Sequence, residues 1–281
     1  MLNSNCYTFK LRKYPKGLFD NFIDATYILT MTNSERHNNI EKQLQKYIPT
    51  KNIYVGYNKG YKNCNKILHK NIPPYDLSDF YFNTINHSVN NNFGNILILE
   101  DDFIFSENIK NPYIINEINL FFNNNINRNF YYNIGALPLF FYPKIDFRQN
   151  TYRGYFCFTA HSIIYTKKIQ HSILKYKESK DVMHWDVFIS SKFENYFYKN
   201  PICYQLFNKT ENESYWFYGI KNHYIKNLIV KYKNKFIQDT DLDKTPYFGF
   251  YILYKILFLI HYLFIFIFML LIIILFYIFR K

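Results

Sequence analysis

An apolar run near the carboxyl end limits what this chain can fold into. Residues 256–279 read ILFLIHYLFIFIFMLLIIILFYIF, and Arg280 and Lys281 follow them. A helix rises about 1.5 Å per residue, so about 20 apolar residues cross the hydrocarbon core of a membrane. The alternative is a buried core helix, but core helices are seldom apolar on every side. The sequence therefore predicts one C-terminal transmembrane helix, with residues 246–281 as the membrane anchor.

The residues before this run favour a tail-anchored protein. Lys255 precedes the apolar segment, and Tyr247, Tyr251 and Tyr254 lie close enough to it to form an interfacial belt. The amino-terminal sequence MLNSNCYTFKLRKYPKG lacks the long apolar centre of a signal peptide. We expect a single-pass membrane protein, whose compartment and orientation are not fixed by the two residues after the run.

The composition bounds the classes to which the rest of the chain can belong. Hydrophobic residues make up 49% of the 281 residues, which is enough for a packed core and argues against global disorder. The net charge of +13 suits anionic partners, but the lysines are scattered and form no basic helix or RNA-binding motif, so nucleic acid is not an expected partner. The four cysteines include no C-x-x-C pair, which argues against a zinc site or a disulfide scaffold and leaves one disulfide open.

Strand and helix patterns alternate along the chain and predict an α/β domain over residues 21–245, after an irregular lead-in over 1–20. Apolar runs predict strands over 25–31, 52–55, 96–99, 130–139, 154–160, 162–165 and 201–207. Helical spacing predicts helices over 34–48, 79–89, 114–122, 168–176 and within 182–197, and Pro73-Pro74 is interpreted as a breaker. This order implies a mainly parallel sheet, whose ligands gather at the carboxyl ends of the strands.

Three consecutive acids, Glu100, Asp101 and Asp102, follow the apolar strand ILIL. Clustered carboxylates destabilise a fold unless positive charge lies among them. Carboxylate oxygens suit Mg²⁺ or Mn²⁺, and either ion bridges to substrate phosphates without a P-loop. The alternative is a solvated turn that is rich in acids. The position after a buried strand favours a metal or substrate site.

Four segments together resemble glycosyltransferases of the GT-A fold. They are YILTMTNSERHNNIEKQL, NILILEDDFIF, the block 154–165 and MHWD. The likeness covers about residues 24–207, is greatest to the family-25 lipopolysaccharide and collagen galactosyltransferase type, and has ILEDD as its most specific element. It implies a GT-A-like, mainly parallel twisted sheet flanked by helices. It also implies Mn²⁺ held against a nucleotide-sugar diphosphate, and transfer with inversion.

The resemblance also implies roles for individual residues. Asp102 would be the principal metal ligand, and Asp101 and Glu100 would contact the metal, the ribose or a ligating water. The end of the first strand, Thr30 to Thr32, and Arg36 just beyond it would lie near the nucleotide.

The motif His184-Trp185-Asp186 gathers a base, an aromatic face and a carboxylate. Sugar transfer with inversion needs a base that takes the proton of the acceptor hydroxyl, and Asp186 is the candidate. Trp185 is the candidate platform for a sugar ring, and His184 or His223 would complete the metal shell. The alternative is a helix start, with Asp186 as a cap and Trp185 in the core.

These observations predict a membrane-anchored enzyme that transfers a sugar from a nucleotide-sugar donor to a hydroxyl of a glycan, lipid or protein acceptor, with Mn²⁺ or Mg²⁺ as cofactor. Two alternatives stay open. One is another metal-dependent phosphate enzyme, such as a nucleotidyltransferase or nuclease, that uses the same acids. The other is a non-catalytic envelope or adhesion protein of the membrane.

Overall fold

The structure is a computed structural model that describes residues 4–142, 150–207, 210–215 and 220–279, so Arg280 and Lys281 of the predicted anchor lie outside the described residues. The helices are α1 (His37–Lys46), α2 (Pro73–Asn90), α3 (Pro112–Asn124), α4 (Lys167–Leu174), α5 (Trp185–Lys192), α6 (His223–Asp239) and α7 (Pro246–Phe279). The strands are β1 (Tyr7–Lys13), β2 (Ala25–Met31), β3 (Asn52–Asn58), β4 (Ile96–Glu100), β5 (Phe103–Phe105), β6 (Phe130–Asn133), β7 (Leu137–Phe141), β8 (Thr151–Phe158), β9 (Ser162–Tyr165), β10 (Glu194–Tyr198) and β11 (Cys203–Gln205).

Nine of these strands form one sheet, in the order β1-β3-β2-β4-β9-β6-β10-β8-β7, and β11 pairs with β5 in a second, small sheet. The predicted α/β class is confirmed. The large sheet is mixed: among the described strands, parallel pairing is confined to β3–β2, β2–β4 and β6–β10. The three parallel strands β3, β2 and β4 therefore point their carboxyl ends to one edge of the sheet.

The strand β4 lies at the centre of the fold because its apolar run is buried on both faces. Leu97 and Leu99 belong to the core on one face of the sheet, and Ile96 and Ile98 belong to the core on the other. The four side chains have no exposed surface. A strand that is apolar at every position needs cover on both sides, and helices supply it here.

Two predicted element boundaries differ from the structure for identifiable reasons. Pro73 and Pro74 start α2 instead of breaking the chain, because proline lacks the N–H that the first turn of a helix leaves unpaired. The predicted helical segment within 182–197 ends at Lys192, and the strand β10 follows. The helix α6 had no counterpart among the predicted elements.

The predicted irregular lead-in over residues 1–20 is wrong for Tyr7–Lys13. These residues form β1, which pairs antiparallel with β3 from Tyr7 opposite Asn58 to Lys13 opposite Asn52. β1 is an edge strand, and its partly exposed side chains include Lys10 and Arg12. Charged side chains on an edge strand weaken the apolar alternation by which strands are recognised.

A disulfide and a buried lysine attach the loop after β3 to this edge of the sheet. Cys6 bonds to Cys64 across a sequence separation of 58, so the disulfide that the sequence left open is formed. Lys66 is buried, and its ammonium group donates to the Tyr7 hydroxyl at 2.9 Å and also pairs with Asp76. Cys157 and Cys203 are free and buried.

Replacing both bridged cysteines, as Cys6→Ser with Cys64→Ser, is expected to lower the free energy of unfolding by about 4 kcal/mol, because the bridge restricts the unfolded chain over a long loop. For a domain of this size, that loss lowers the melting temperature by about 10 °C. Thermal unfolding of the full chain in detergent measures it. A reductant should lower the melting temperature of the wild type by the same amount and leave the double variant unchanged. A variant as stable as the oxidised wild type would contradict the expectation.

The helix α7 is long and apolar enough to cross a membrane. By length and composition the candidate span is Tyr247–Phe279, which comprises 33 residues and contains an 18-residue window with a mean hydropathy of 3.1. Phe250 and Tyr254 near its start are buried against the folded domain, whereas the side chains from Leu263 onward are mostly exposed. α7 therefore begins as part of the domain and continues as an uncovered apolar helix.

Candidate functional site

The acid triplet lies at the carboxyl end of β4, where the parallel strands β3, β2 and β4 all end. Glu100 is the last residue of β4, and its N–H donates to the carbonyl of His161 at 2.9 Å. Asp101 and Asp102 form the turn that leads into β5. The apolar strand and the polar turn together place all three carboxyl groups at the edge of the sheet where ligands of such folds bind.

Asp101 is held by three side chains that come from the end of β2 and the segment after it. Its Oδ2 accepts hydrogen bonds from the hydroxyls of Thr30 and Ser34, each at 2.7 Å. Its Oδ1 accepts from Nη1 of Arg36 at 3.0 Å. Two of the residues predicted to lie near a nucleotide, Thr30 and Arg36, therefore contact the acid triplet directly.

Asp102 is the more enclosed of the two aspartates, with 3% of its surface exposed. Its Oδ2 accepts from Nη1 of Arg36 at 3.3 Å and from Nε2 of Gln205 at 3.2 Å. Its Oδ1 is buried and has no hydrogen-bond partner among the described residues. A buried carboxylate oxygen without a partner costs free energy, so this atom is positioned to accept a cation or a donor.

Glu100 differs from its neighbours because the hydrogen bond described for its side chain joins it to a tyrosine instead of a cation. Its Oε1 lies 2.6 Å from the hydroxyl of Tyr81, which also lies 3.0 Å from the carbonyl of Ala160. Burial, together with the charge of Asp102, raises the pKa of Glu100 to about 8. The Tyr81 hydroxyl faces both acceptors, Oε1 of Glu100 and the carbonyl of Ala160, and has one proton to donate to them.

Burial also raises the pKa of Asp102 to about 6, even though the charge of Arg36 opposes the shift. These acids therefore lie in a site that disfavours their negative charge. The positive charge of Arg36 offsets only part of that cost, so additional positive charge would stabilise the site. Among the described residues, no three His, Cys, Asp or Glu side chains are arranged as a ready metal-holding group.

Asp186 lies in the same electrostatic neighbourhood as the triplet, since its charge contributes to the raised pKa of Glu100. Its Oδ1 accepts from the N–H of Val187 at 2.9 Å in the first turn of α5. Burial raises the pKa of Asp186, and the backbone N–H of Val187 and the charge of His184 act in the opposite direction. Nearby, Thr159 has a φ of 70°, which a β-branched residue seldom adopts without a local constraint.

The structure contradicts the predicted sugar-binding role of Trp185. This side chain is 3% exposed, stacks on Tyr81 with ring centroids 4.5 Å apart, and donates from Nε1 to the Tyr165 hydroxyl at 2.8 Å. Both polar and apolar parts of the indole are already in contact with the protein. Trp185 therefore lies in the core at the start of a helix, as the alternative predicted, and the predicted platform is corrected. Asp186 is not the cap of that helix, since the N-cap residue is His184.

Neither of the two predicted histidine ligands, His223 and His184, forms a described metal-holding group with the acids. His223 is exposed at the start of α6, and no described contact joins it to the triplet. His184 precedes α5 beside Asp186 and takes part in no described metal-holding group. Within the described part of the chain, neither His184 nor His223 therefore completes a metal shell with Asp101 and Asp102.

Thr32 faces a groove near the acids instead of the acids themselves. Its hydroxyl donates to the carbonyl of Asn58 at 3.1 Å. The groove has a volume of about 320 Å³ and is lined by Thr8, Lys10, Thr32, Tyr57 and Lys59. Nζ of Lys10 lies 5.2 Å from the centre of the Tyr57 ring. This groove lies at the carboxyl ends of β2 and β3 and combines two ammonium groups with an aromatic ring.

Sequence reasoning missed four residues that shape the site. Ser34 and Gln205 contact the aspartates, Tyr81 contacts Glu100, and Asn39 donates from Nδ2 to the carbonyls of Asp101 and Phe103 at 3.0 and 2.9 Å. Tyr81 and Asn39 lie within helices, where one polar side chain among several carries no signal. Gln205 lies in a strand far later in the sequence, so only the tertiary fold brings it to Asp102.

Comparisons with known proteins identify no family for this chain. No protein-family model matches the chain, and no curated protein matches it significantly. Among solved structures, one titled "Crystal Structure of A197 from STIV" aligns with 66% of this chain and 85% of that chain at 10% sequence identity, with a TM-score of 0.39. A likeness of this size shows neither a shared family nor a shared activity.

Proposed function

We propose that the chain is a membrane-anchored, metal-dependent glycosyltransferase that moves a sugar from a nucleotide-sugar donor to an acceptor hydroxyl. The observation that carries the proposal is the triplet at the carboxyl end of β4, in which Asp102 presents a buried Oδ1 without a partner among the described residues. GT-A architecture and inversion of configuration belong to the proposal through the sequence resemblance.

The oxygen donors of the site belong to the chemical class that binds a hard divalent cation, although the described side chains are not arranged as a metal-holding group. Glu100, Asp101 and Asp102 offer carboxylate oxygens of the kind that Mn²⁺ and Mg²⁺ prefer. Such an ion supplies positive charge that neutralises a leaving diphosphate. Arg36 now pairs with both aspartates, and its long side chain can turn from them toward a phosphate group. Thr30 and Ser34 keep Asp101 oriented throughout.

The groove beside Thr32 supports a nucleotide as the leaving group. Lys10 and Lys59 provide positive charge within this groove, and the ring of Tyr57 provides a face for a base. Replacing Tyr57 by alanine is expected to weaken binding of a nucleoside diphosphate by about 5- to 150-fold, because base–aromatic stacking contributes about 1–3 kcal/mol. Calorimetric titration with UDP in the presence of Mn²⁺ measures the loss.

The matched control for this variant is Tyr113→Ala, since Tyr113 is an exposed tyrosine at the start of α3. Unchanged affinity in the Tyr57 variant would place the nucleotide elsewhere. Equal losses in both variants would indicate a nonspecific effect of removing a surface tyrosine.

Asp186 is the proposed base, and the anchor places the reaction near a membrane. A carboxylate whose pKa is raised by burial takes a proton more readily near neutral pH. The hydroxyl of Tyr247, at the start of α7, donates to the carbonyl of Phe105 at 2.9 Å, in the strand that follows Asp102. The acid triplet therefore lies beside the helix that leads to the membrane, which suits a lipid-linked or membrane-protein acceptor.

The experiment that tests this function is a donor screen on the purified full chain. With Mn²⁺ present, nucleotide sugars should raise the melting temperature, and one of them should be hydrolysed slowly without an acceptor. Stabilisation or cleavage by polynucleotides instead would favour a nuclease or nucleotidyltransferase. A chain that responds to neither metal nor nucleotide would favour a non-catalytic membrane protein.

A further inference from the structure

The point at which α7 leaves the folded domain is marked by the edge strand β7. The ring of His261 stacks on Phe141 with centroids 3.7 Å apart, and Phe264 lies 6.0 Å from Phe140. β7 is the last strand of the nine-stranded sheet, at the opposite edge from β1. The described contacts of α7 with β7 thus reach Phe264, well inside the apolar run.

The length of the apolar run indicates at what depth in a membrane the contact between α7 and β7 would lie. About 20 helical residues are needed to cross the hydrocarbon core. The run ends at Phe279, before Arg280 and Lys281, so a span of that length begins close to Ile260. Phe140 and Phe141 contact the helix at and just beyond that residue. When α7 spans a bilayer, this end of β7 therefore lies at the boundary between headgroups and hydrocarbon.

Beside this contact, β7, β8 and the residue after β7 carry partly exposed aromatic side chains. Phe140, Tyr142 and Tyr155 are 36%, 46% and 67% exposed. The rings of Tyr142 and Tyr155 lie 6.5 Å apart, and the guanidinium of Arg153 lies 4.8 Å from the centre of the Tyr142 ring. Tyrosine and arginine side chains have apolar bodies and polar tips, a combination that is enriched where proteins meet the headgroup layer.

We infer that this surface, Phe140, Tyr142, Arg153 and Tyr155, is a second membrane contact of the protein, seated in the headgroup layer of the bilayer that α7 crosses. The inference rests on the proposed membrane anchor and does not depend on the proposed enzymatic activity. A bilayer is the occupant because the surface is continuous with the exit point of the apolar helix. The unpaired backbone of the edge strand fits the hydrated headgroup layer, whereas hydrocarbon would leave it without partners.

The contact holds the domain in a fixed orientation against the bilayer. One helix alone would leave the domain free to tilt about its exit point. A second contact on the edge strand, beside that exit point, removes this freedom and fixes which way the acid triplet faces. Membrane attachment and site orientation would then be set by the same sheet.

The test places a fluorescent probe on the full chain reconstituted in phospholipid nanodiscs. Tyr155→Cys, labelled with an environment-sensitive dye, is compared with Leu11→Cys on β1 at the opposite edge of the sheet. Seven strand spacings of about 4.8 Å separate β1 from β8, which carries Tyr155, by roughly 34 Å. Nitroxide-labelled lipids should quench the probe at position 155 at least twofold more than the probe at position 11. Tyr142→Cys provides a second reporter in case Tyr155→Cys folds poorly.

Equal quenching at positions 155 and 11 would overturn the second contact. Membrane anchoring by α7 is measured separately, by whether the chain co-purifies with the nanodiscs. A chain that fails to co-purify would overturn the anchor and the contact together. Co-purification with unquenched probes at 155 and 142 would overturn the contact alone.

Discussion

Replacing Asp102 by asparagine is expected to lower the Mn²⁺-dependent hydrolysis of a nucleotide sugar by at least about 100-fold, since outer partners of metal ligands alone contribute 10- to 100-fold. Asparagine keeps the size of the side chain and an acceptor oxygen for Arg36 and Gln205. It removes the negative charge that would hold the cation. The variant should also lose most of the rise in melting temperature that Mn²⁺ gives the wild type.

The stability of Asp102→Asn is measured without metal, and we do not expect a large loss under that condition. The buried carboxylate of Asp102 is in a site that disfavours its charge, so a neutral amide replaces it at little cost. The matched control is Asp239→Asn at the exposed end of α6, which should keep full activity and the full response to Mn²⁺. An Asp102→Asn enzyme with wild-type metal response would remove the acid triplet from the proposed mechanism.

The position of the acid triplet could be predicted because one continuous segment contains both the apolar strand and the acids that follow it. Ile96 to Leu99 are apolar at every position, so they form a strand covered on both faces, and the acids after it must lie at a strand end. The β2 strand and the helix after it follow from the same kind of local pattern. The resemblance placed Thr30 and Arg36 near the nucleotide, and their contact with Asp101 was not itself predicted.

Other features depend on contacts that local patterns do not encode. Trp185 was interpreted as a ligand platform because its neighbours are polar, but its packing partners Tyr81 and Tyr165 lie in other elements. β1 was missed because charged side chains interrupt its apolar alternation, and because its partner β3 is separated from it along the chain by β2 and α1. The mixed direction of the sheet arises at β1, which pairs antiparallel with β3, and again at β9, which pairs antiparallel with β4. The order of strands in space is not written in their order along the chain.

The metal-free protein is expected to become less stable as the pH rises from 5 to 8. Burial raises the pKa of Glu100 from 4.5 to about 8, so the folded protein binds more protons than the unfolded chain in this range. Stability therefore falls with increasing pH, and the contribution is fully lost above pH 8. Because each tenfold change in proton affinity corresponds to about 1.4 kcal/mol, the loss is on the order of 5 kcal/mol. The raised pKa of Asp102 adds a loss of the same sign between about pH 4 and 6. Urea unfolding at pH 5, 6.5 and 8 measures the slope.

The variant Glu100→Gln isolates this effect, because an amide can hydrogen-bond to Tyr81 and does not titrate. It should match the wild type at pH 5, exceed it at pH 8, and show a flatter dependence between them. Added Mn²⁺ should stabilise the wild type more at pH 8 than at pH 5, since its carboxylate ligands must lose their protons before they bind a cation. A wild type whose stability rises toward pH 8 without metal would show that the triplet is already neutralised within the fold. In that case the cation these acids hold is Arg36, and the need for a divalent ion disappears.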